Sequence, residues 1–134
     1  MTGLRKYLLA AAFCAGMAAP ALAEVPDKAS ARLAERLEGR VAGEPVDCIQ
    51  LNRIQNSTIY DRTALVYEVG STLYVNRPEA GAESLRRHDI MIIRNTLGQL
   101  CDIDVIDMRD SSGFYSGSVF LGKFTPYERA SEEG

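Results

Sequence analysis

Hydrophobic positions along this chain first follow the spacing of a helix and then change to the alternation of strands. Ala29, Leu33 and Leu37 recur every four residues within a charged stretch, which predicts a short helix over residues 27–38. Asp27 can cap its N-terminus. Because only two of the three apolar positions are large, the pattern leaves open whether this helix packs on the rest of the protein, precedes it as a leader or stays partly disordered.

From Pro45 onward, β-branched and aromatic residues form short runs between turn residues, which is typical of antiparallel strands. In the run over residues 63–69 both alternating sets are apolar, so we expect a strand that is covered on both faces. Gly70-Ser71 follows this run and suits a type II′ turn, which predicts a three-stranded meander here. The runs cover residues 46–51, 58–60, 63–69, 72–76, 89–94, 103–108 and 118–124.

These elements predict a small, mainly antiparallel all-β domain preceded by one short helix, and they leave open a barrel or a sandwich. Its expected bounds are residues 45–127. Residues 24–44 form the leader that carries the helix, and residues 128–134 form a flexible tail.

Two irregularities stand out within the strand region. Residues 77–88 form the longest predicted loop, because proline and glycine interrupt any ladder there. The run over residues 103–108 changes the phase of its alternation, which predicts a β-bulge near Val105 and Ile106. After Phe124 the chain is expected to fray.

The first 23 residues have the three parts of a secretory signal peptide. They are the basic residues Arg5 and Lys6, an apolar stretch, and the small-residue exit Ala21-Leu22-Ala23. The apolar stretch has about 13 residues, fewer than the roughly 20 that cross a bilayer core. We therefore predict cleavage before Glu24, a periplasmic or secreted protein, and no membrane span after removal of the signal.

Removal of this peptide makes the chain more acidic. The full chain has 15 basic and 18 acidic residues, of which residues 1–23 hold two and none, so the net charge becomes 13 − 18 = −5. Such a surface repels phosphate backbones, and the nearest basic run, Arg86-Arg87-His88, is flanked by Glu83 and Asp89. The sequence therefore argues against nucleic-acid binding.

The cysteine count falls from three to two when the signal peptide is removed, because Cys14 lies within it. Cys48 and Cys101 then form an even pair, which favours a disulfide in an oxidising compartment. The closed loop of about 54 residues would stabilise the fold by about 4 kcal/mol through chain entropy. A redox site uses a close Cys-x-x-Cys pair instead, so we predict a structural disulfide.

Carboxylates are the foremost candidates for chemistry. Asp102, Asp104, Asp107 and Asp110 offer the oxygen ligands that calcium prefers, but their spacing follows a strand and not a calcium loop. A solvent-facing row beside a buried row explains all four. We therefore predict no metal site.

Catalytic groups are equally sparse. His88 is the only histidine and stands in a charged loop, and the chain has no nucleophile elbow, which argues against a hydrolytic triad. Glu68 with one of the aspartates could cleave a sugar bond, although their separation is not defined by the sequence. We predict no catalytic residue and no cofactor.

Five motifs along the chain form a recognisable series. They are Pro45-Val46-Asp47-Cys48-Ile49, Arg53-Ile54, Asp61-Arg62-Thr63, Leu73-Tyr74-Val75-Asn76 and Gln99-Leu100-Cys101-Asp102-Ile103-Asp104. This series resembles a family of short exported bacterial proteins of unknown function with two spaced cysteines. The resemblance covers residues 45–127, implies a periplasmic domain with a disulfide, and transfers no catalytic residue.

Ala80-Gly81-Ala82 in the long loop is similar, more loosely, to the inhibitory loop of periplasmic lysozyme-inhibitor barrels, which enters the cleft of the enzyme. Export, acidity and the lack of catalytic groups together predict a non-enzymatic domain that binds a protein or an envelope component. Two alternatives stay open. One is a cell-wall hydrolase that uses carboxylates such as Glu68 or Asp104, and the other is a lysozyme-inhibitor-like protein.

Overall fold

The computed structural model describes Gly16, residues 27–95 and residues 97–131. The predicted signal peptide therefore lies outside the described residues, apart from Gly16. All strand pairs in the described residues are antiparallel, which confirms a small all-β domain with one short helix. The elements are α1 Lys28–Arg36, β1 Arg40–Ala42, β2 Cys48–Gln50, a 3-10 helix Leu51–Arg53, β3 Asn56–Tyr60, β4 Ala64–Val69, β5 Thr72–Asn76, a 3-10 helix Ala82–Ser84, β6 Ile90–Ile93, β7 Gln99–Cys101, β8 Val105–Arg109, β9 Tyr115–Phe120 and β10 Phe124–Arg129.

The strands form three sheets around a shared core. The first has the order β1-β10-β5-β4-β3, the second contains β6-β8-β9, and the third pairs β2 with β7. Buried side chains from all three sheets meet in one hydrophobic cluster, so the core holds separate sheets together. This main core consists of Ile49, Ile59, Leu65, Tyr67, Leu85, Leu100, Ile106, Met108, Val119, Leu121 and Phe124.

The predicted meander is present as β3, β4 and β5. The pair Val69↔Thr72 closes the second hairpin, which leaves Gly70 and Ser71 as its two-residue turn. Gly70 has a φ of 59°, and Arg62 is the only non-glycine residue with positive φ in the described part of the chain. A type I′ turn would need positive φ at both central positions, so this turn is of type II′.

Strand β4 is covered on both faces, as its two apolar sets predicted. Leu65 and Tyr67 point into the main core, whereas Ala64 and Val66 join a second cluster on the other side of the sheet. Burial raises the pKa of the Tyr67 phenol above its ordinary value.

Helix α1 covers this second cluster. Leu33 is 2% exposed, and Ala29 and Leu37 pack beside it. Asp27 accepts a hydrogen bond from the Ser30 N–H at 2.8 Å and so caps the first turn. The helix is thus part of the folded domain, a point that its thin apolar stripe had left open.

The chain after Phe124 forms strand β10, although fraying was predicted there together with a flexible tail that begins at Glu128. Strand β10 lies between β1 and β5 and pairs with β1 as far as Arg129. The Pro126 carbonyl accepts a hydrogen bond from the Gly43 N–H at 2.7 Å, on the side where β1 has ended. The N–H and the C=O of one residue point to the same side of a strand, so an N–H at position 126 would also face away from β5. The proline therefore removes no hydrogen bond to β5, and the strand continues through it.

Strand β8 begins at Val105, and the predicted bulge near Val105 and Ile106 is wrong. Ile103 lies in the preceding turn and is 85% exposed, so it takes no part in the alternation that buries Ile106 and Met108. The register shift lies instead between Met108 and Arg109, where β9 contributes one extra residue.

A buried asparagine fixes the crossover from β9 to β10, where one continuous strand was predicted. Gly122 lies in this crossover, and its N–H donates to Asn76 Oδ1 at 2.9 Å while Asn76 Nδ2 donates to its carbonyl at 2.7 Å. Asn76 is fully buried. A Cβ atom on Gly122 would clash with the Arg77 carbonyl oxygen, so the close approach requires glycine.

Cys48 and Cys101 lie opposite each other in the β2–β7 pair, with their Sγ atoms 2.07 Å apart. The Cys101 N–H donates to Asp104 Oδ2 at 2.7 Å. It is therefore not bonded to Cys48, and the two cysteines form the closely spaced, non-hydrogen-bonded type of pair, with a Cα–Cα distance of 4.0 Å. This pair connects two short strands that are 53 positions apart in the sequence.

Candidate functional site

The side of the β6-β8-β9 sheet that faces away from the core is the main candidate for function. Ile106 and Met108 of β8 are buried, and Met91 and Ile93 of β6 pack against the same core. Because successive side chains alternate across a strand, the residues between them point outward. We call this surface the outer face, and it consists of Ile90, Ile92, Val105, Asp107, Arg109, Ser118 and Phe120.

Exposed apolar side chains are concentrated at the outer face and its borders. Of nine exposed large hydrophobic residues in the described chain, seven lie within residues 90–120: four on β6, β8 and β9, one in the β8–β9 turn, and two in the turns on either side of β7. Val105 and Phe120 are cross-strand partners. A local concentration of this kind marks an interaction surface, whereas single exposed apolar residues are ordinary. The seven are Ile90, Leu97, Ile103, Val105, Phe114, Tyr115 and Phe120.

A row of polar groups crosses the outer face between these apolar residues. Ser118 Oγ donates to Asp107 Oδ1 at 3.1 Å, and Arg94 Nε lies 3.8 Å from Asp107 Oδ2. The Tyr115 hydroxyl is 2.7 Å from Ser118 Oγ. Since the serine proton is given to Asp107, the tyrosine donates to Ser118. Side chains that hold one another lose less freedom when a partner binds, so the row is suited to recognition.

Strand β6 has one unpaired edge among the described residues. It pairs with β8 alone, through four residues from Ile90 to Ile93. An unpaired edge presents backbone N–H and C=O groups that another chain can use to add a strand. The outer face therefore ends in a backbone that is open to pairing.

The aspartate series takes separate local roles. Asp104 Oδ2 accepts hydrogen bonds from the Cys101 N–H and from Asn95 Nδ2, the latter at 3.1 Å, and so holds the turn before β8. Asp110 Oδ1 accepts two backbone N–H groups of its own turn, at 2.9 and 3.0 Å. Asp107 belongs to the polar row. Within residues 27–95 and 97–131, no three acidic, cysteine or histidine residues are grouped to hold a metal ion.

Asp47 and Asp102 flank the two cysteines and share one lysine. Lys123 Nζ contacts Asp47 Oδ1 and lies 3.6 Å from Asp102 Oδ2. The hydrogen bond to Asp47 is the main cause that raises the pKa of Lys123. The lysine thus balances two carboxylates that the strand pair brings together.

The two carboxylates of the hydrolase alternative serve different parts of the fold. Glu68 Oε2 lies 3.5 Å from a guanidinium nitrogen of Arg36, and this ion pair connects β4 to the helix. Asp104 instead holds the turn before β8. His88 is exposed and lines an open cleft beside Asp89.

The long loop packs along the edge of β9. The Glu79 N–H donates to the Phe120 carbonyl at 3.0 Å, and the Phe120 N–H donates to the Ala80 carbonyl at 2.9 Å. Gly81 has a φ of 82°, and a Cβ atom there would clash with the Ser118 carbonyl oxygen. The segment that resembles an inhibitory loop is thus held against the sheet.

Sequence reasoning did not identify the outer face. Ile103 and Val105 share one alternating set and Ile106 and Met108 share the other, and this change of phase predicts a β-bulge instead of an exposed apolar face. The sequence does contain a signal for this face. Strand β8 has apolar residues in both alternating sets, although the core covers only one side of it.

No helix in the described part of the chain is long and apolar enough to cross a membrane. Comparison with known proteins found no match to this chain among family models, curated proteins or solved structures.

Proposed function

We propose that this chain is an exported, non-enzymatic binding domain of the periplasm or the cell exterior that holds an envelope protein on its outer face. The observation that carries the proposal is that four of the nine exposed large hydrophobic residues in the described chain lie on the three strands of this sheet, and a fifth, Phe114, lies in the turn between β8 and β9. The partner segment that fits best is an extended, apolar strand. It would add to the free edge of β6 and place its side chains beside Ile90 and Ile92.

Two features favour this mode of binding over a loose hydrophobic contact. The polar row of Tyr115, Ser118, Asp107 and Arg94 offers donors and acceptors in fixed positions, which gives orientation. Phe120 is 49% exposed, so a partner that covers it adds about half of the roughly 1.5–3 kcal/mol of complete burial, and several such apolar contacts together are needed for specific binding.

The proposed periplasmic or secreted location is supported by the signal pattern of residues 1–23 and by the cysteine pair at disulfide distance. An oxidising compartment keeps such a pair closed. The short β2 and β7 strands then stay together while the outer face engages a partner.

Retention of envelope proteins on the oxidised, immobilised domain tests the proposal. Val105→Ser with Phe120→Ser removes two apolar side chains from the outer face, and both residues are exposed, so the fold should tolerate the change. Val41→Ser is the matched control, because Val41 is exposed on β1 in the other sheet. We expect a protein that the wild type and the control retain and the double variant loses.

Three results would contradict the proposal. The first is retention of nothing, and the second is equal retention by the double variant. The third is turnover of peptidoglycan fragments that disappears in Glu68→Gln or Asp104→Asn, which would make the domain an enzyme. Sedimentation of the purified proteins distinguishes an envelope partner from a second copy of this chain. A second copy would make the wild type, but not the double variant, sediment as a dimer.

A further inference from the structure

A second surface has the form of a small-molecule cleft. It has a volume of ≈ 390 Å³ and lies between helix α1, strand β3 and the end of the long loop. Lys28 and Arg32 stand one helical turn apart on α1, and β3 supplies Thr58 and Tyr60. Arg87, at the end of the long loop, also lines the cleft. We call this space the cationic cleft.

Backbone contacts hold Arg87 beside β3. Its N–H donates to the Asp61 carboxylate, and the Arg62 N–H donates to the Leu85 carbonyl at 3.0 Å. The acidic residue that lines the cleft, Asp61, is therefore engaged by a backbone donor. Residues 85–87, which we call the arginine loop, and the β3–β4 turn consequently form one connected wall.

The charge of the cleft is opposite to that of the protein. Three cations and one carboxylate line it, which gives 3 − 1 = +2, whereas the whole chain has a net charge of −3. Within residues 27–95 and 97–131, ion pairs within 4.0 Å involve Arg36, Arg94 and Lys123 and none of the cleft cations. An adjoining cleft shares Asp61 and Arg87 and adds two arginines, Arg62 and Arg86, and one carboxylate, Asp89. Unneutralised cations around a concave site attract an anion.

We propose that the cationic cleft binds a phosphate group that belongs to a small soluble ligand or to a lipid headgroup. The guanidinium groups of Arg32 and Arg87 can each give two parallel N–H donors to phosphate oxygens, and Lys28 adds a third positive charge. Thr58 Oγ1 accepts a hydrogen bond from Arg36 at 3.2 Å, so its own proton is free to be donated to a ligand. Ala29 of α1 adds apolar surface to the lining of the cleft for the rest of the molecule.

Titration of the oxidised protein with pyrophosphate at constant ionic strength tests this proposal, with backbone amide chemical shifts as the readout. We expect saturable shifts in β3 and the arginine loop. Arg32→Gln with Arg87→Gln should weaken the affinity about tenfold or more, because hydrogen bonds between charged groups are lost. The control, Arg53→Gln with Arg129→Gln, removes the same charge at exposed positions elsewhere and should change the affinity less than about twofold.

Vesicles distinguish the two sources of phosphate. Binding to phosphatidylglycerol vesicles, but not to phosphatidylcholine vesicles, with the same dependence on Arg32 and Arg87, would assign a lipid headgroup. Binding of pyrophosphate alone would assign a soluble ligand. The proposal is overturned if neither probe binds saturably or if the control variant loses as much affinity as the cleft variant. This site and the outer face do not depend on each other, so the failure of one proposal leaves the other standing.

Discussion

Replacement of Asn76 by alanine should destabilise the domain strongly, although Asn76 touches neither proposed binding surface. Its amide makes two hydrogen bonds to the backbone of Gly122, at 2.7 and 2.9 Å, and is fully buried. The side chain thus takes the place of a neighbouring peptide group at the point where the chain passes from one sheet to another. Alanine would leave the N–H and the C=O of Gly122 without these partners.

The size of the effect follows from these two groups. Leaving a buried donor or acceptor unsatisfied costs about 1–3 kcal/mol, so the loss of both bonds of Asn76 should cost about 2–5 kcal/mol once partial hydration is allowed. A small domain has a total stability of about 5–15 kcal/mol. The matched control is Asn56→Ala, an exposed asparagine at the start of β3, which should cost less than about 0.5 kcal/mol.

The pH dependence of the stability of Asn76→Asp is a second measurement. It would not appear if Asn76 only filled space in the core. The carboxylate can still accept from the Gly122 N–H, but its second oxygen faces the Gly122 carbonyl, and burial should raise its pKa. Protonation restores a donor, and a raised folded pKa favours the folded state at low pH. The stability deficit of Asn76→Asp should therefore shrink as the pH falls from about 7 to about 4.

Urea unfolding of the oxidised proteins, followed by circular dichroism, gives the free energies of unfolding for these variants. Asn76→Ala within about 0.5 kcal/mol of the wild type would refute the reasoning. So would a deficit of Asn76→Asp that is the same at both pH values.

Three further changes test other parts of the fold. Leu33→Ala should lower the free energy of unfolding by about 2–5 kcal/mol in urea, because Leu33 anchors the helix. The control Glu35→Ala changes an exposed side chain of the same helix and should be nearly neutral. Equal effects of the two changes would mean that the helix is not docked. The folded protein keeps the Tyr67 proton that the unfolded chain releases near pH 10, so stability should fall as the pH rises above about 10. Tyr67→Phe should flatten this fall in a pH series of unfolding curves, and parallel curves would count against it. Cys48→Ser with Cys101→Ser should lower the melting temperature in line with a loss of about 4 kcal/mol for a loop of this length, and an unchanged temperature would show that the closed loop adds no stability.

Local patterns account for the parts of the fold that the sequence predicted. The helix follows from a spacing of four and an aspartate cap. The type II′ turn follows from Gly70 between two strands, and the two-sided burial of β4 follows from apolar residues in both alternating sets. Each of these signals lies within a few neighbouring residues.

The parts that were missed depend on contacts between distant segments. The segment of strand β10 precedes a polar chain end, which predicts fraying, and only its pairing with the distant strands β1 and β5 makes it a strand. Asn76 stands at the end of a strand, where asparagine usually indicates a turn, and its partner Gly122 is 46 positions away.

The two proposed surfaces were hidden for the same reason. The acidic residues that flank Arg86-Arg87-His88 argue against a binding site in the sequence, but the fold places Arg87 in the same cleft as Lys28 and Arg32. The outer face emerges only once the buried set of each strand is known. A single sequence does not define which segments meet, so neither surface could be predicted.

Photo-crosslinking from the outer face in intact cells tests the central claim most directly. A benzophenone amino acid in place of Phe120 should form a covalent adduct with an envelope protein when the cells are irradiated. The same group in place of Val41, on the other sheet, should form none. No adduct at position 120, or equal adducts at both positions, would contradict the assignment of the outer face as the binding surface.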